Sequence, residues 1–280
     1  MTEASPPSHA RRSRPWLPFF VGLVAVAGLV VAGFSSRRAD ASKPLGITVG
    51  VLGGPEAEVL EFVSSRRPDL DLQVVRYDDA RSLRAAVKRG EVAAGSFETN
   101  ASLHQTQPDP ELGSAGTTLT LPLGFYSKRI KTLNELTAGA VIALPAEPEA
   151  QGRALLLLFH SGLVVIPEEL GTAVRLTDVS AILHQLELRP LPRERLASAF
   201  GEAALVGLEY ATAAQSGLAP ARHAILMEDG FSPYAQILTV RRADLATPPA
   251  WLGSLLDAYH SQQVKTFILE HFEDSVRRPW

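Results

Sequence analysis

Ile47-Thr48-Val49-Gly50-Val51-Leu52-Gly53-Gly54-Pro55-Glu56-Ala57-Glu58-Val59-Leu60-Glu61-Phe62-Val63 is the stretch on which the fold turns. Its first six residues are mostly apolar and β-prone and read as a buried strand. Gly53-Gly54 reads as a tight turn. Pro55 falls at the first helical position, where its missing N–H would have no partner anyway, and residues 56–63 continue as a helix. A strand, turn and helix in this order point the free N–H groups of the helix start into the space beyond the strand's C-terminal end. That is where open α/β sheets take up ligands.

The same alternation runs outward from this unit. A strand is expected over 72–77, a helix over 81–89 and a strand over 92–97; together these define α/β layers with largely parallel sheets. The extended run at 117–126 is interrupted by Pro122 and Gly124, so it reads as a passage between two lobes. Thr132-Leu133-Asn134-Glu135 is a capping-box sequence opening a short helix. A strand is expected over 141–144, then a helix over 149–162 with a Leu155-Leu156-Leu157-Leu158 face. A strand over 204–208 and a helix over 210–216 follow, with Gly217 as C-cap. Residues 234–241, after the breaks at Gly230 and Pro233, suggest a second passage. The tail, 248–272, reads as helical and packs back on the first lobe. This divides the chain into lobe 1 (46–122 with 234–280) and lobe 2 (123–233).

Before these lobes lies a leader. Residues 15–34 are uncharged and largely apolar, long enough to span a bilayer, and follow Arg11, Arg12 and Arg14. They read as a membrane anchor with residues 1–14 in the cytoplasm, 35–45 as a linker and the rest outside. The competing reading is a signal segment cut at Ala39-Asp40-Ala41. The leader carries five arginines against Glu3 and Asp40, so the formal net charge of -3 leaves -6 on the remainder. That balance argues against a nucleic-acid partner, which needs a basic face. Cys is absent, which rules out disulfides, thiolate metal sites, a cysteine nucleophile and a lipid-bearing cysteine within these 280 residues.

Catalytic chemistry finds little support. The seven histidines are scattered singly, without metal-ligand spacing. There is no GxGxxG fingerprint, phosphate loop or GxSxG elbow, and no carboxylate spacing marks an acid–base pair. No cofactor is expected, and the chain reads as a binder, not an enzyme. Arg153 stands apart. It lies in the first turns of the helix after the 141–144 strand, where the helix dipole disfavours a cation. Gripping an anion bidentately would explain it; a solvated surface arginine is the alternative.

Several segments in register carry a resemblance. These are Val49 to Leu60, Tyr126-Ser127-Lys128-Arg129-Ile130-Lys131 with Leu133 and Leu136, Gly152-Arg153-Ala154 with the four leucines after it, and Ser232-Pro233-Tyr234. From about residue 46 to Trp280 the chain resembles the MetQ/NlpA family of methionine-binding lipoproteins. The resemblance implies a two-lobed periplasmic-binding-protein fold of type II with two crossing strands and an amino acid enclosed between the lobes. It also implies that Arg153 grips the ligand α-carboxylate and that Phe97 lines the side-chain pocket.

The departures are specific. The family's Phe-Gln-His-Lys-Pro-Tyr segment is Phe97-Glu98-Thr99-Asn100-Ala101-Ser102 here, so Thr99 and Ser102 replace His and Tyr. Family asparagines align with Glu209 and Gln236. The pocket is therefore expected to be wider and more polar, with Glu209 pairing with the ligand amine, with a second amine on a larger or basic ligand, or with Arg153 in the empty site. The other reading of Glu209 is a solvated helix start.

The function implied is an extracytoplasmic substrate-binding protein of an ABC importer. It would bind methionine or a related amino acid or short peptide in the periplasm and serve an ABC permease and its ATPase. The alternative is a membrane-anchored sensing or scaffolding protein on the same fold, without transport.

Overall fold

The computed structural model describes residues 46–280 apart from Gln107. The leader readings, residues 1–14, 15–34 and 35–45, lie outside the described residues. Among the described residues no helix is long and apolar enough to cross a membrane.

The opening stretch forms β1 (Ile47–Val51) and α1 (Gly54–Arg66). Gly53 and Gly54 take φ values of 108° and 64°, a region that L side chains avoid, and Pro55 follows within the first helical turn. β2 (Leu72–Arg76), α2 (Ala80–Arg89), β3 (Ala94–Thr99) and β4 (Leu112–Thr117) complete the first run. Asp79 caps α2 by accepting from Ser82 N at 2.8 Å, and Gly90 ends it in the left-handed region.

The second lobe contains β5 (Gly124–Tyr126), β6 (Val141–Pro145), α3 (Pro148–His160), β7 (Glu187–Leu191), β8 (Leu205–Leu208), α4 (Tyr210–Gln215) and β9 (Ala224–Met227). The chain then returns through β10 (Gln236–Arg241), α5 (Ala250–Tyr259) and α6 (Gln262–Phe272). Of the two five-stranded sheets, one has the order β2-β1-β3-β10-β4 and the other β9-β5-β8-β6-β7; residues 164–165 and 181–182 pair in a small sheet of their own. In each, a parallel core is joined by antiparallel strands.

The chain passes between the sheets twice, through residues 118–123 and 228–235. These runs lie together: Leu123 N donates to a Glu228 carboxylate oxygen at 2.8 Å, and Thr120 Oγ1 donates to Gly230 O. The β-rich run at 234–241 is mostly β10, seated between β3 and β4. Only its first residues belong to the passage, because Gly230 and Pro233 end upstream of the sheet.

Two local expectations change. The capping box at Thr132 forms, with Glu135 reaching back to Thr132 N at 3.0 Å, yet it opens only a single 3-10 turn, Leu133–Glu135. Gly139, at φ 78°, turns the chain before a longer helix can grow. The tail is two helices, with Ser261 as N-cap of the second, accepting from Val264 N at 3.4 Å.

The tail's Leu252, Leu255, Tyr259, Val264 and Ile268 pack in one buried cluster with Val49, Val51, Leu60 and Val63. Each large side chain so buried contributes on the order of 2 kcal/mol. In the second lobe Leu155 and Leu158 of the leucine face join Ile142 and Leu144 in a separate cluster, whereas Leu156 and Leu157 are only partly buried. The two cores are thus separate, and the ground between them is polar.

Candidate ligand-binding site

The polar ground is a cavity of about 240 Å³ between the two sheets. Phe97, Thr99, Ser102 and Gln236 line it from the first lobe, Arg153 and Glu209 from the second. All six positions singled out in the sequence therefore face one space. The volume lies below the ~300–1,000 Å³ of sites for drug-sized molecules and suits a single amino acid.

On the first-lobe wall, Phe97 belongs mainly to a buried cluster with Leu83, Val87, Leu103 and Ile237. Its ring lies across Gly95, where a Cβ would come within 2.7 Å of the ring, so only glycine leaves it room. Thr99 ends β3 opposite Gln236, the first residue of β10. Its Oγ1 accepts from Ser102 N at 2.9 Å and donates to Glu149 Oε1 at 2.8 Å. Since Glu149 starts α3, this hydroxyl joins the lobes. Where the sequence suggested a simple widening, Thr99 is committed to a turn and to the opposite wall. Gln236 Oε1 is buried and finds no partner among the described residues.

On the second-lobe wall, α3 follows β6 directly and carries Arg153 on its inner face. Gly152 lets the helix approach its neighbours: a Cβ there would lie 3.0 Å from Val174 O and 3.3 Å from the Tyr234 hydroxyl. Arg153 is 5% exposed. Its Nε and Nη2 donate to the two carboxylate oxygens of Glu228 at 3.1 and 2.5 Å, and Nη2 also donates to Leu121 O at 2.8 Å. Tyr234 covers the guanidinium, its ring centroid 5.3 Å from the central carbon. Nη1 remains, directed towards Glu209 at 3.9 Å.

The solvated-surface reading of Arg153 is therefore wrong. The anion that justifies its position in an unfavourable part of the helix is supplied first by the chain itself. Burial works against its charge. Glu228, by attraction and hydrogen bonding, and then Glu209 and Glu149 outweigh burial and hold its pKa above the ordinary arginine value.

Glu209 stands at the start of α4, and its main partner is Arg193, whose Nη2 donates at 2.6 Å. Arg153 is its more distant neighbour, so the expected pairing in the empty site is chiefly with a different arginine. On the first lobe Arg84 pairs with Glu98, which also accepts from Thr239 Oγ1 at 2.8 Å. Burial pushes the Glu98 carboxyl above its usual range, against the opposing pull of Thr239 and Arg84.

Sequence reasoning missed Arg84, Glu147, Glu149, Arg193 and Glu228. Glu228 carried a usable signal, since it directly precedes the Asp229-Gly230 break that begins the second passage. Glu147 and Glu149 were visible only as a favourable helix start.

Two sheets, two passages and a charged cavity between them define the architecture of a two-lobed binding protein. The sequence model of the family described as NlpA lipoprotein matches residues 47–280. The D-methionine-binding lipoprotein MetQ of Escherichia coli (strain K12) is 31% identical over 248 residues, covering 86% of this chain and 91% of that protein. That of Salmonella typhimurium is 30% identical over 262 residues, covering 91% and 95%. A nutrient binding protein from Burkholderia cenocepacia, solved bound to methionine, superposes with a TM-score of 0.68 at 30% identity, covering 82% of this chain and 98% of its own. The chain belongs to the NlpA lipoprotein family. It does so without any cysteine, so none of its 280 residues can carry a thioether-linked lipid.

Proposed function

We propose that this chain is an extracytoplasmic substrate-binding protein that encloses one amino acid and hands it to an ABC permease and its ATPase. Lobe 1 (46–122 with 234–280) and lobe 2 (123–233) would close on the ligand, and residues 15–34 would hold the protein at the membrane with the globular part outside. The observation that carries the reading is Arg153: a buried guanidinium, fixed on two sides by Glu228, with Nη1 left towards the cavity. Such a group is pre-organised to receive a carboxylate. Thr99, Ser102, Gln236 and Glu209 offer polar partners around it, and Phe97 an apolar edge. Ligand contacts to both walls favour the closed arrangement, the form a permease would distinguish from the empty one. The relatives named above bind methionine, which supports an amino-acid ligand. The cavity is a place for holding, and no reaction is assigned to it.

The test is native mass spectrometry of the full chain, followed by calorimetric titration with L- and D-amino acids. One bound amino acid per chain is expected. Arg153→Ala alone is a poor control, because it strands Glu228 in the interior. The double variant Arg153→Met with Glu228→Gln removes both charges together. It is expected to fold and to lose affinity at least 100-fold. Retained affinity would remove Arg153 from the site, and no binding by any amino acid would end the proposal.

A further inference from the structure

The charges around the cavity do not balance. Three arginines face it, and each is already matched: Arg84 by Glu98, Arg153 by Glu228, Arg193 by Glu209. Two carboxylates are left over, Glu147 and Glu149, both on the cavity wall at the start of α3. Neither makes an ion pair among the described residues. Glu147 accepts from Arg193 N at 3.1 Å through Oε1, while its Oε2 is buried without a partner. Among the described residues Glu149 accepts only the Thr99 hydroxyl, at 2.8 Å. The N-terminus of α3 offsets about half a unit of this charge through the helix dipole. More than one negative charge therefore remains uncompensated in a space about to be closed from water, and burying it is costly.

A second observation has the same sign. Two buried acceptors on the cavity wall, Glu147 Oε2 and Gln236 Oε1, meet no donor among the described residues. The cavity wall thus carries more carboxylates than cations, and on it two buried acceptors await a donor. A zwitterionic amino acid adds no net charge. An amino acid with an ammonium or guanidinium side chain adds one positive charge and three to five donors.

Resting on the reading of the cleft as an amino-acid site, we propose that its ligand is a basic amino acid, with Glu147 and Glu149 receiving the side-chain cation. The carboxylate lies at Nη1 of Arg153, and the α-ammonium lies near Glu209. Phe97 and Ala80 border the path of the methylenes. A cation at Glu149 also reaches the group bonded to Thr99, so it strengthens the contact between lobes. The volume admits one such amino acid and disfavours longer peptides.

The experiment compares lysine, arginine, norleucine and methionine by calorimetric titration of the full chain. Norleucine keeps the lysine methylenes and ends in a methyl group where the ammonium would be. Lysine or arginine is expected to bind more than tenfold tighter than norleucine. In the double variant Glu147→Gln with Glu149→Gln that ratio should fall below about threefold, whatever the change in norleucine affinity itself. Norleucine or methionine binding as tightly as the basic amino acids overturns this inference and leaves the amino-acid reading standing. A ratio unaltered in the double variant assigns the preference to other groups and also overturns it. Absence of binding by all four overturns the inference, and the reading beneath it falls with it only if the remaining L- and D-amino acids fail to bind as well.

Discussion

Each wall of the cleft contains an arginine–glutamate pair, fully buried on the second lobe and partly buried on the first, and the two pairs do opposite things. On the second lobe, Glu228 lies behind Arg153 and holds it through Nε and Nη2, so the guanidinium keeps one edge for the cavity. On the first lobe, Arg84 and Glu98 occupy each other and both line the cavity. Burial leaves Glu98 with a raised pKa even beside its cation, whereas Arg153, equally buried, is held charged by the carboxylates around it. The same two residue types thus build a grip on one wall and a filled polar surface on the other. What separates them is which side the glutamate takes: Glu228 lies behind Arg153, where a backbone carbonyl and an aromatic face also hold the guanidinium.

The largest expected effect breaks the grip. Arg153→Ala leaves Glu228 buried and unpaired, which should cost about 3–5 kcal/mol of folding stability and all measurable carboxylate binding. In chemical denaturation the Arg153→Met, Glu228→Gln double variant should recover most of that stability without recovering affinity. Equal stability of single and double variants would mean that Glu228 is not the anion that holds Arg153.

A smaller effect is expected on the other wall, and it depends on pH. Glu98 already has a folded-state pKa above its unfolded value, and Arg84→Met removes one of the groups that lower it. Between the unfolded and folded pKa values the native state binds more protons than the unfolded state, so stability falls as pH rises through that window. The variant should therefore lose little relative to the parent at pH 5 and about 2–3 kcal/mol at pH 8, where Glu98 must either stay charged alone or take up a proton. Thermal unfolding at the two pH values checks this; a loss independent of pH would show that the pair acts through packing alone.

The smallest effect concerns the bond that links the walls. Thr99→Val keeps the β-branched shape but removes the hydroxyl shared by Ser102 N and Glu149. It should cost about 1 kcal/mol, and ligand affinity should fall by about fivefold because the bond spans the lobes. An affinity loss without a shift in denaturation midpoint would locate the bond in the closed state only; no change in either would remove it from the closing contacts.

The alternation of strand and helix was legible because each unit is written locally. In β1 and α1, glycines with positive φ, a proline in the first helical turn and a buried apolar run all agree. The candidate site was partly legible. Arg153 betrayed itself by being misplaced on its helix, and Phe97, Thr99, Ser102, Glu209 and Gln236 followed from register with the family. Glu228 lies 75 positions from Arg153, and Glu149 lies 50 from Thr99. Nothing in the local pattern around any of these four couples it to its partner.

The amino-acid sequence by itself determined the strands, helices and turns, the α/β class and the residue types available to the cleft, because hydrophobic period, caps and turn residues act over a few positions. Which charges meet is settled by the packing of the two lobes. Pairing is a matter of distance, and distance across a cleft is set by two chain passages and two packed cores, not by neighbours in sequence. That is why Arg153 could be picked out early, while its partner Glu228, the Arg193 that holds Glu209, and the unmatched Glu147 and Glu149 emerged only once the lobes faced each other.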